Sequence, residues 1–127
     1  MKKYVLFLFM VVSISLLFAC SSNNKPSDVV KKAYTYANEG KYSEVEKCFS
    51  EDSLNYIKNY AILTGGIKGI CDANTNNRTI ENIEILDESI EGEGATVKVK
   101  FTYEDNSERE YDAELIKEKG DWKLIIK

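Results

Sequence analysis

The sequence predicts an α+β domain, with N-terminal helices packed on a curled antiparallel four-stranded meander sheet. Three observations lead to this prediction. Apolar residues recur every three or four positions between residues 27 and 63, which is the period of helices with one buried face. From residue 79 the period changes to two, as in half-buried strands. Gly, Asn and Asp residues separate the alternating segments, as hairpin turns require.

A strongly apolar block precedes these elements. Lys2 and Lys3 stand before it, residues 4–18 are almost entirely apolar, and the small residue Ala19 follows. A basic tip, an apolar stretch and small residues at a cut site are the parts of a secretory signal. A retained transmembrane helix is the alternative, but the block is short for a span of about 20 residues.

The end of this block carries a recognisable motif. Leu17-Phe18-Ala19-Cys20 resembles the bacterial lipobox, in which a diacylglycerol is joined to the cysteine sulfur before cleavage. The resemblance implies a lipoprotein with a signal peptide at residues 1–19, an acylated (palmitate-type) Cys20 and a lipidated tether at residues 20–26. Two or more acyl chains hold a protein stably on a membrane.

This anchor predicts an extracytoplasmic location in the cell envelope, with the membrane as a partner through the lipid on Cys20. Ser21 and Ser22 are uncharged and provide no acidic signal for retention at the inner membrane. We therefore predict the outer membrane if the cell is Gram-negative.

Residues 27–127 are predicted to form a single domain, since a chain of this size suits one hydrophobic core. The whole chain has a formal net charge of −4. Residues 1–19 contain two lysines and no acidic residue, so their removal makes the charge −6. Such an acidic domain lacks the basic surface that nucleic acid requires, and we predict no nucleic-acid partner.

The chain contains no histidine. Its absence excludes Ser-His-Asp and Cys-His catalysis and removes the commonest metal ligand. We predict no metal and no cofactor. The acidic residues between Asp87 and Glu93 lack the spacing of an EF-hand loop, and Gly65-Gly66 with Gly69 lack the context of a phosphate-binding loop.

Two cysteines remain besides Cys20, namely Cys48 and Cys71. Outside the cytoplasm such a pair can form a disulfide, which would stabilise the helical region by about 3 kcal/mol. The alternative is two buried free thiols. Sequence alone leaves both open, because a disulfide depends on the distance between the two residues.

The helical region divides at its polar and glycine residues. We expect the first helix to begin at Ser27, as its cap, and to end at Gly40. A capping box at residues 43–46 predicts a short second helix. A third helix is predicted from about Asp52 to Leu63, followed by one more helical turn at residues 67–71 and a polar loop at residues 72–78.

The alternation of apolar and polar residues also predicts the register of the sheet. Odd-numbered residues are apolar both in the strand from Val97 to Tyr103 and in the strand from Tyr111 to Leu115. A loop of residues 105–107 then places Lys100 opposite Asp112 and Lys98 opposite Glu114. A two-residue turn at Lys119-Gly120 places Leu115 opposite Leu124. In this register no carboxylate lies on the inner face, while Ile116 and Ile125 lie on the outer face, either exposed or covered by a helix.

Three segments carry a further resemblance. Residues 27–34 and 38–42, with Gly120-Asp121-Trp122-Lys123-Leu124 near the end, resemble the first helix, its turn and the closing hairpin of nuclear-transport-factor-two-like (cystatin-like) domains. The resemblance implies a cone-like fold that cups a pocket between sheet and helices. It does not imply a function, since one fold serves many.

Aromatic residues are the candidates for lining such a pocket, and core packing is their alternative role. The predicted lining residues are Tyr34, Phe101, Tyr103, Tyr111 and Trp122. We predict a non-enzymatic, membrane-anchored module that binds a small ligand or an envelope protein. The alternatives are an enzyme that uses a buried carboxylate or tyrosine, and a structural accessory subunit.

Overall fold

The computed structural model of the protein describes residues 25–126. The predicted signal peptide, Cys20 and most of the tether lie outside the described residues. The elements in chain order are α1 (Pro26–Asn38), α2 (Tyr42–Glu46), α3 (Glu51–Asn59), α4 (Ala61–Thr64), α5 (Gly66–Thr75), β1 (Ile80–Glu91), β2 (Gly94–Tyr103), β3 (Glu108–Glu118) and β4 (Asp121–Leu124). The four strands form one antiparallel sheet in the order β1-β2-β3-β4. The predicted α+β class and meander order are confirmed.

Helix α1 packs across the inner face of the sheet. Its buried residues Val29, Val30, Ala33 and Tyr34 join a single core cluster with the inward residues of the strands. Asn38 fixes the end of α1 to the start of β1, because its side chain accepts a hydrogen bond from Ile80 N (3.0 Å) and donates one to Ile80 O (2.9 Å). With the hydrogen bond from Ser27 at its other end to Glu88 of β1 (3.1 Å), α1 is tied to the sheet at both ends.

The start of α1 differs from the expectation. Lys25, not Ser27, is the N-cap, and its backbone N–H donates to the Asp28 carboxylate at 3.3 Å. Pro26 occupies the first turn, where a missing N–H has no cost. Ser27 does not cap the helix, and its hydroxyl donates a hydrogen bond to Glu88 Oε2 (3.1 Å) on β1 instead.

The later helices also differ in their bounds. The segment predicted as one helix from Asp52 to Leu63 is two helices, α3 and α4, because the backbone of Tyr60 leaves helical geometry (φ −107°, ψ 21°). The predicted single turn at residues 67–71 is the ten-residue α5, which takes in part of the predicted polar loop. The predicted capping box of the second helix is wrong, since Lys41 is the N-cap and makes no side-chain cap.

The glycines between α4 and α5 have a structural role. Gly65 ends α4 in the left-handed region (φ 79°), and Gly66 follows with φ 70°. A Cβ at Gly69 would lie 1.8 Å from the carbonyl oxygen of Thr64. The two helices can therefore turn tightly past each other only because no side chain stands at position 69.

The hairpin between β2 and β3 confirms that odd-numbered residues of the two strands pair with each other, but its register differs from the predicted one. Lys98 pairs with Asp112 and Lys100 with Glu110, two residues away from the predicted pairs. The loop keeps three residues but consists of residues 104–106 instead of 105–107, because Tyr103 N–H donates to Ser107 O (2.9 Å). Asn106, with φ 65°, is then the last loop residue, the position at which a three-residue hairpin loop takes its left-handed residue.

The hairpin between β3 and β4 agrees with the prediction. Lys119 and Gly120 both have positive φ, and Leu115 pairs with Leu124.

An irregularity in β1 corrects the prediction about the inner face. The pairing shifts between Ile85 and Asp87, so that Ile85 faces Val99 whereas Glu88 faces Val97. The extra residue, Leu86, reverses which side chains point inward, as a β-bulge does. Glu88 thus reaches the inner face, where the register from sequence placed no carboxylate.

Replacement of Gly69 by Ala should lower the free energy of unfolding by about 1–3 kcal/mol, because the new methyl group would overlap the Thr64 carbonyl. Urea denaturation measures this. Gly94→Ala is the control, since a Cβ there meets its nearest atom at an ordinary 3.6 Å. Equal stabilities for Gly69→Ala and the wild type would contradict the proposed α4–α5 contact.

Candidate functional site

The candidate site is a cavity of about 380 Å³ between the helices and β3. It is lined by Tyr34 of α1, residues of α3 to α5, residues of β3, and the chain after β4. The lining residues are Tyr34, Phe49, Tyr56, Thr64, Ile70, Asn74, Tyr111, Asp112, Glu114, Leu124, Ile125 and Ile126.

The cavity lies at the boundary between two core clusters. The first joins α1 to the sheet, and the second consists of Val45, Ile57, Ile67 and Cys71 in the helical region. Phe49 packs against both clusters. Since the helical region has a core of its own, it does not fill the space beside β3.

The short length of β4 opens the site. Among residues 25–126, β4 pairs only with positions 115–118 of β3. Positions 108–114 therefore have β2 alone as a neighbouring strand. Side chains from both faces of β3 reach this edge, which explains why the inward Tyr111 and the outward Asp112 and Glu114 line one cavity.

Hydrogen bonds hold the C-terminal wall of the cavity in place. Ser50 N–H donates to Leu124 O (2.9 Å), and Ile126 N–H donates to Ser53 Oγ (2.9 Å). Ile125 N–H donates to Glu114 O at 3.0 Å. The last residues are thus fixed between α3 and β3, and the wall that they form is ordered by the fold.

Tyr34 is the most enclosed of the lining tyrosines. Its ring lies 4.6 Å from the ring of Phe101 and 6.4 Å from that of Tyr111. Burial, together with the neighbouring Tyr111, raises the pKa of Tyr34 well above its usual value. The phenol therefore stays neutral and acts as a hydrogen-bonding group rather than as an acid.

The polar lining combines phenols with carboxylates. Tyr56 and Tyr111 are partly exposed, and Asp112 and Glu114 bring acidic side chains to the same cavity. Within the described part of the chain, no Lys or Arg is among the lining residues. The arrangement can bind an apolar body and hydrogen-bond or ion-pair a polar end, as small-molecule sites do.

The other aromatic residues predicted to line a pocket lie elsewhere. Phe101 and Tyr103 are buried in the sheet core, and the Arg78 guanidinium lies 5.4 Å from the Tyr103 ring. Trp122 borders a separate depression that also includes Cys48, with Lys117 Nζ 5.6 Å from its ring.

Both described cysteines are free thiols. Cys48 belongs to the sheet cluster and Cys71 to the helical cluster, so they lie in different parts of the core. Burial, with a smaller effect of Asp72, raises the pKa of Cys71 to about 11. Burial also raises the pKa of Cys48. Neither environment favours the thiolate, which is the reactive form of cysteine.

Glu88 is an inward carboxylate that the sequence did not predict. Its Oε2 accepts the hydrogen bond from Ser27, and its Oε1 is buried without a hydrogen-bond partner. It belongs to β1, which is two strands away from β3, and it does not line the tyrosine cavity.

Two further surfaces carry apolar side chains. Ile62 and Leu63 of α4 are exposed by 100% and 82%, an apolar projection that the prediction of one continuous helix did not foresee. Ile116 and Ile125 are half-buried, and Ile125 lines the cavity.

The described residues hold no group of three or more His, Cys, Asp or Glu side chains placed to bind a metal ion. Within residues 25–126, every helix is too short or too polar to cross a bilayer.

This architecture, a helix cupped by a four-stranded sheet with a cavity at one side, is that of an NTF2-like α+β domain. A solved structure from Campylobacter jejuni, named "Putative NTF2-like transpeptidase", shares it with a TM-score of 0.66 and 15% sequence identity. The similarity covers 82% of this chain and 100% of that chain.

At sequence level, the chain matches the family described as "Domain of unknown function (DUF4878)" over residues 18–125, and it belongs to that family. No curated protein matches the chain.

The environment of Cys71 gives a direct test. In a Cys48→Ala variant, alkylation of Cys71 by iodoacetamide at pH 8 should be at least about 100-fold slower in the folded protein than in urea. A pKa of about 11 instead of 9.0 lowers the thiolate population by that factor. Equal rates in the folded and unfolded states would show that this thiol is not held in its neutral form.

Proposed function

We propose that this protein is an extracytoplasmic lipoprotein whose NTF2-like domain binds a small ligand without converting it. The observation that carries the proposal is the cavity of about 380 Å³ on which Tyr34, Tyr56 and Tyr111 converge. Its volume falls in the usual range of small-molecule sites, about 300–1,000 Å³.

The membrane anchor is supported by the sequence before the domain. Leu17-Phe18-Ala19-Cys20 has the lipobox pattern, and the family match begins at residue 18, so that it includes Cys20. Lys25, where the described residues begin, is the fifth residue after Cys20. Such a tether spans about 18 Å at most, which would keep the binding domain close to the bilayer surface. We propose the outer membrane if the cell is Gram-negative.

A small ligand is favoured over an envelope protein by the placement of the apolar residues. A protein partner would require an exposed apolar face, for which Ile116 and Ile125 on the outer face of the sheet are the candidates from the sequence. These residues are half-buried, while the space between sheet and helices is open. Ile62 and Leu63 are the most exposed large apolar side chains of the described residues, and two side chains are far fewer than the roughly 20–30 residues per partner of a stable protein interface.

A binding role without turnover is supported by the chemistry available. The name of the Campylobacter neighbour refers to a transpeptidase, and transpeptidation is an acyl transfer, which requires an activated nucleophile. The chain has no histidine to act as its base, and burial raises the pKa of Cys48 and of Cys71. Glu88 is an inward carboxylate, as the enzyme alternative requires, but it lies apart from the tyrosine cavity.

The anchor can be tested by labelling cells with a fatty acid that carries a clickable tag. The wild type and Cys48→Ser should both be labelled and should yield a mature protein that begins at residue 20. Cys20→Ser should lose the label and keep residues 1–19, because the acylated sulfur is required for processing. A wild-type protein without label, or one that still begins at Met1, would contradict the anchor.

Ligand binding can be tested with Asn74→Trp, which places a bulky ring in the cavity lining. The full chain, incubated with a small-molecule extract of its own envelope and analysed by native mass spectrometry, should retain a bound compound. The Asn74→Trp variant should lose it. Asn55→Trp, at an exposed position of α3 outside the cavity, should bind as the wild type does. Absence of a bound compound in the wild type, or equal retention by all three proteins, would contradict the proposal.

A further inference from the structure

We propose that an apolar tip of the domain, formed by Tyr56, Tyr60, Ile62 and Leu63, inserts into the surface of the bilayer that carries the lipid anchor. This contact fixes the orientation of the domain on its membrane. The inference rests on the proposed anchor, and it goes beyond ligand binding.

The exposure of the tip is the first argument. Ile62 is 100% exposed and Leu63 82%, although both are large aliphatic side chains. Tyr60, the N-cap of α4, is half-exposed, and its ring lies 4.7 Å from that of the half-exposed Tyr56. Aliphatic side chains next to tyrosines are typical of a contact with a bilayer surface, where tyrosine rings lie at the level of the headgroups.

The backbone of the tip is suited to an apolar surrounding. Leu63 N–H and Thr64 N–H both donate to the carbonyl oxygen of Tyr60 (2.9 Å each), and the Thr64 hydroxyl donates to the same oxygen at 3.1 Å. Lipid penalises backbone groups that have no hydrogen-bond partner. The groups that follow Ile62 keep their partners on insertion, because these partners lie within the turn itself.

The segment that carries the tip differs in charge from the rest of the chain. Residues 53–71 contain Lys58 and Lys68, whereas all 21 acidic residues of the chain lie outside this segment. Lys58 is exposed, and Lys68 is paired with Asp72 (2.7 Å). An anionic bilayer surface attracts lysines and repels carboxylates. Such a surface therefore favours the tip over the other parts of the domain.

The tether allows the tip to reach the bilayer. α1, which follows the tether, begins beside Glu88, at the end of the sheet where β1 and β3 both end. α3 begins at the same end, where Glu51 N–H donates to Glu118 Oε2 (3.3 Å).

α3 has nine residues, so its length brings the tip about 14 Å from that end of the sheet, which is less than the tether spans. Because the tether makes the contact intramolecular, the local concentration of lipid surface at the tip is high. A few side chains then suffice for insertion, although they are too few for a stable protein interface.

A fluorophore on the tip tests the insertion. The protein is purified from cell membranes and placed in vesicles of phosphatidylcholine and phosphatidylglycerol that contain a doxyl-labelled lipid as quencher. Leu63→Cys, labelled with an environment-sensitive nitrobenzoxadiazole dye, should show blue-shifted emission and lose most of its intensity to the quencher. The dye reacts selectively there, because Cys48 and Cys71 are buried. Asn82→Cys, at an exposed position on the opposite edge strand from β4, is the control and should keep its intensity.

Substitutions locate the contact. Ile62→Asp should reduce the quenching of the dye at position 63, because it puts a carboxylate at the tip, and it loses no packing in the fold, since Ile62 is fully exposed. Asn82→Asp adds the same charge on the far edge strand and should leave the quenching unchanged. Lys58→Gln should lower the ratio of inserted to free tip about fivefold, the effect of one lysine near an anionic surface.

Equal quenching at positions 63 and 82, or unchanged quenching in Ile62→Asp, would overturn the inference. A blue shift without quenching by the lipid would mean that a protein, such as a second copy of this chain, covers the tip, and it would overturn the inference as well. Flotation of the vesicles separates the two proposals. Protein that floats without quenching at the tip contradicts the insertion alone, whereas protein that does not float contradicts the anchor and the insertion together.

Discussion

Packing of α1 against the inner face of the sheet is the interaction on which the rest of the structure depends. Val30, Val97, Val99 and Ala113 have no exposed surface at all, and Phe101 is almost fully buried beside Tyr34. Burial of such side chains contributes about 1.5–3 kcal/mol each for the larger ones. Because inward positions alternate along β2 and β3, this packing also decides which residues of β3 face the helices and which face outward.

The cavity follows from two further features of the fold. The helices α2, α3 and α5 pack around a small core of their own. They therefore leave the space beside β3 unfilled. β4 is only four residues long and leaves one edge of β3 without a strand. The chain after Leu124 then turns to α3, where Ser53 accepts the hydrogen bond of Ile126 N–H and closes the wall. The position of the site is therefore a consequence of strand length rather than of any one side chain.

Much of the fold could be predicted because alternation and turn chemistry are local. The alternation from Val97 to Tyr103 and the turn at Lys119-Gly120 are both properties of neighbouring residues. The bulge at Leu86 could not be predicted, because one extra residue in a strand leaves no distinct pattern in the sequence. Its consequence, the inward Glu88, was missed for the same reason.

The candidate site was predicted only in part. Tyr34 and Tyr111 were predicted as lining residues because they are aromatic, and both line the cavity. Asp112 and Glu114 were treated as outward partners of lysines, since nothing in the sequence shows that β4 stops before it covers them. Phe101 and Trp122 have the same aromatic character as the lining residues, so composition alone could not separate core from cavity. Tertiary packing makes that distinction.

Whether a ligand occupies the cavity beside β3 can be determined by amide chemical-shift mapping of the full chain with and without the small-molecule extract of its envelope. The shifted amides are expected to cluster around Tyr34, Tyr111 and Ile126, which are distant in sequence but line one cavity. Shifts confined to the exposed Ile62 and Leu63, or no shifts at all, would contradict it.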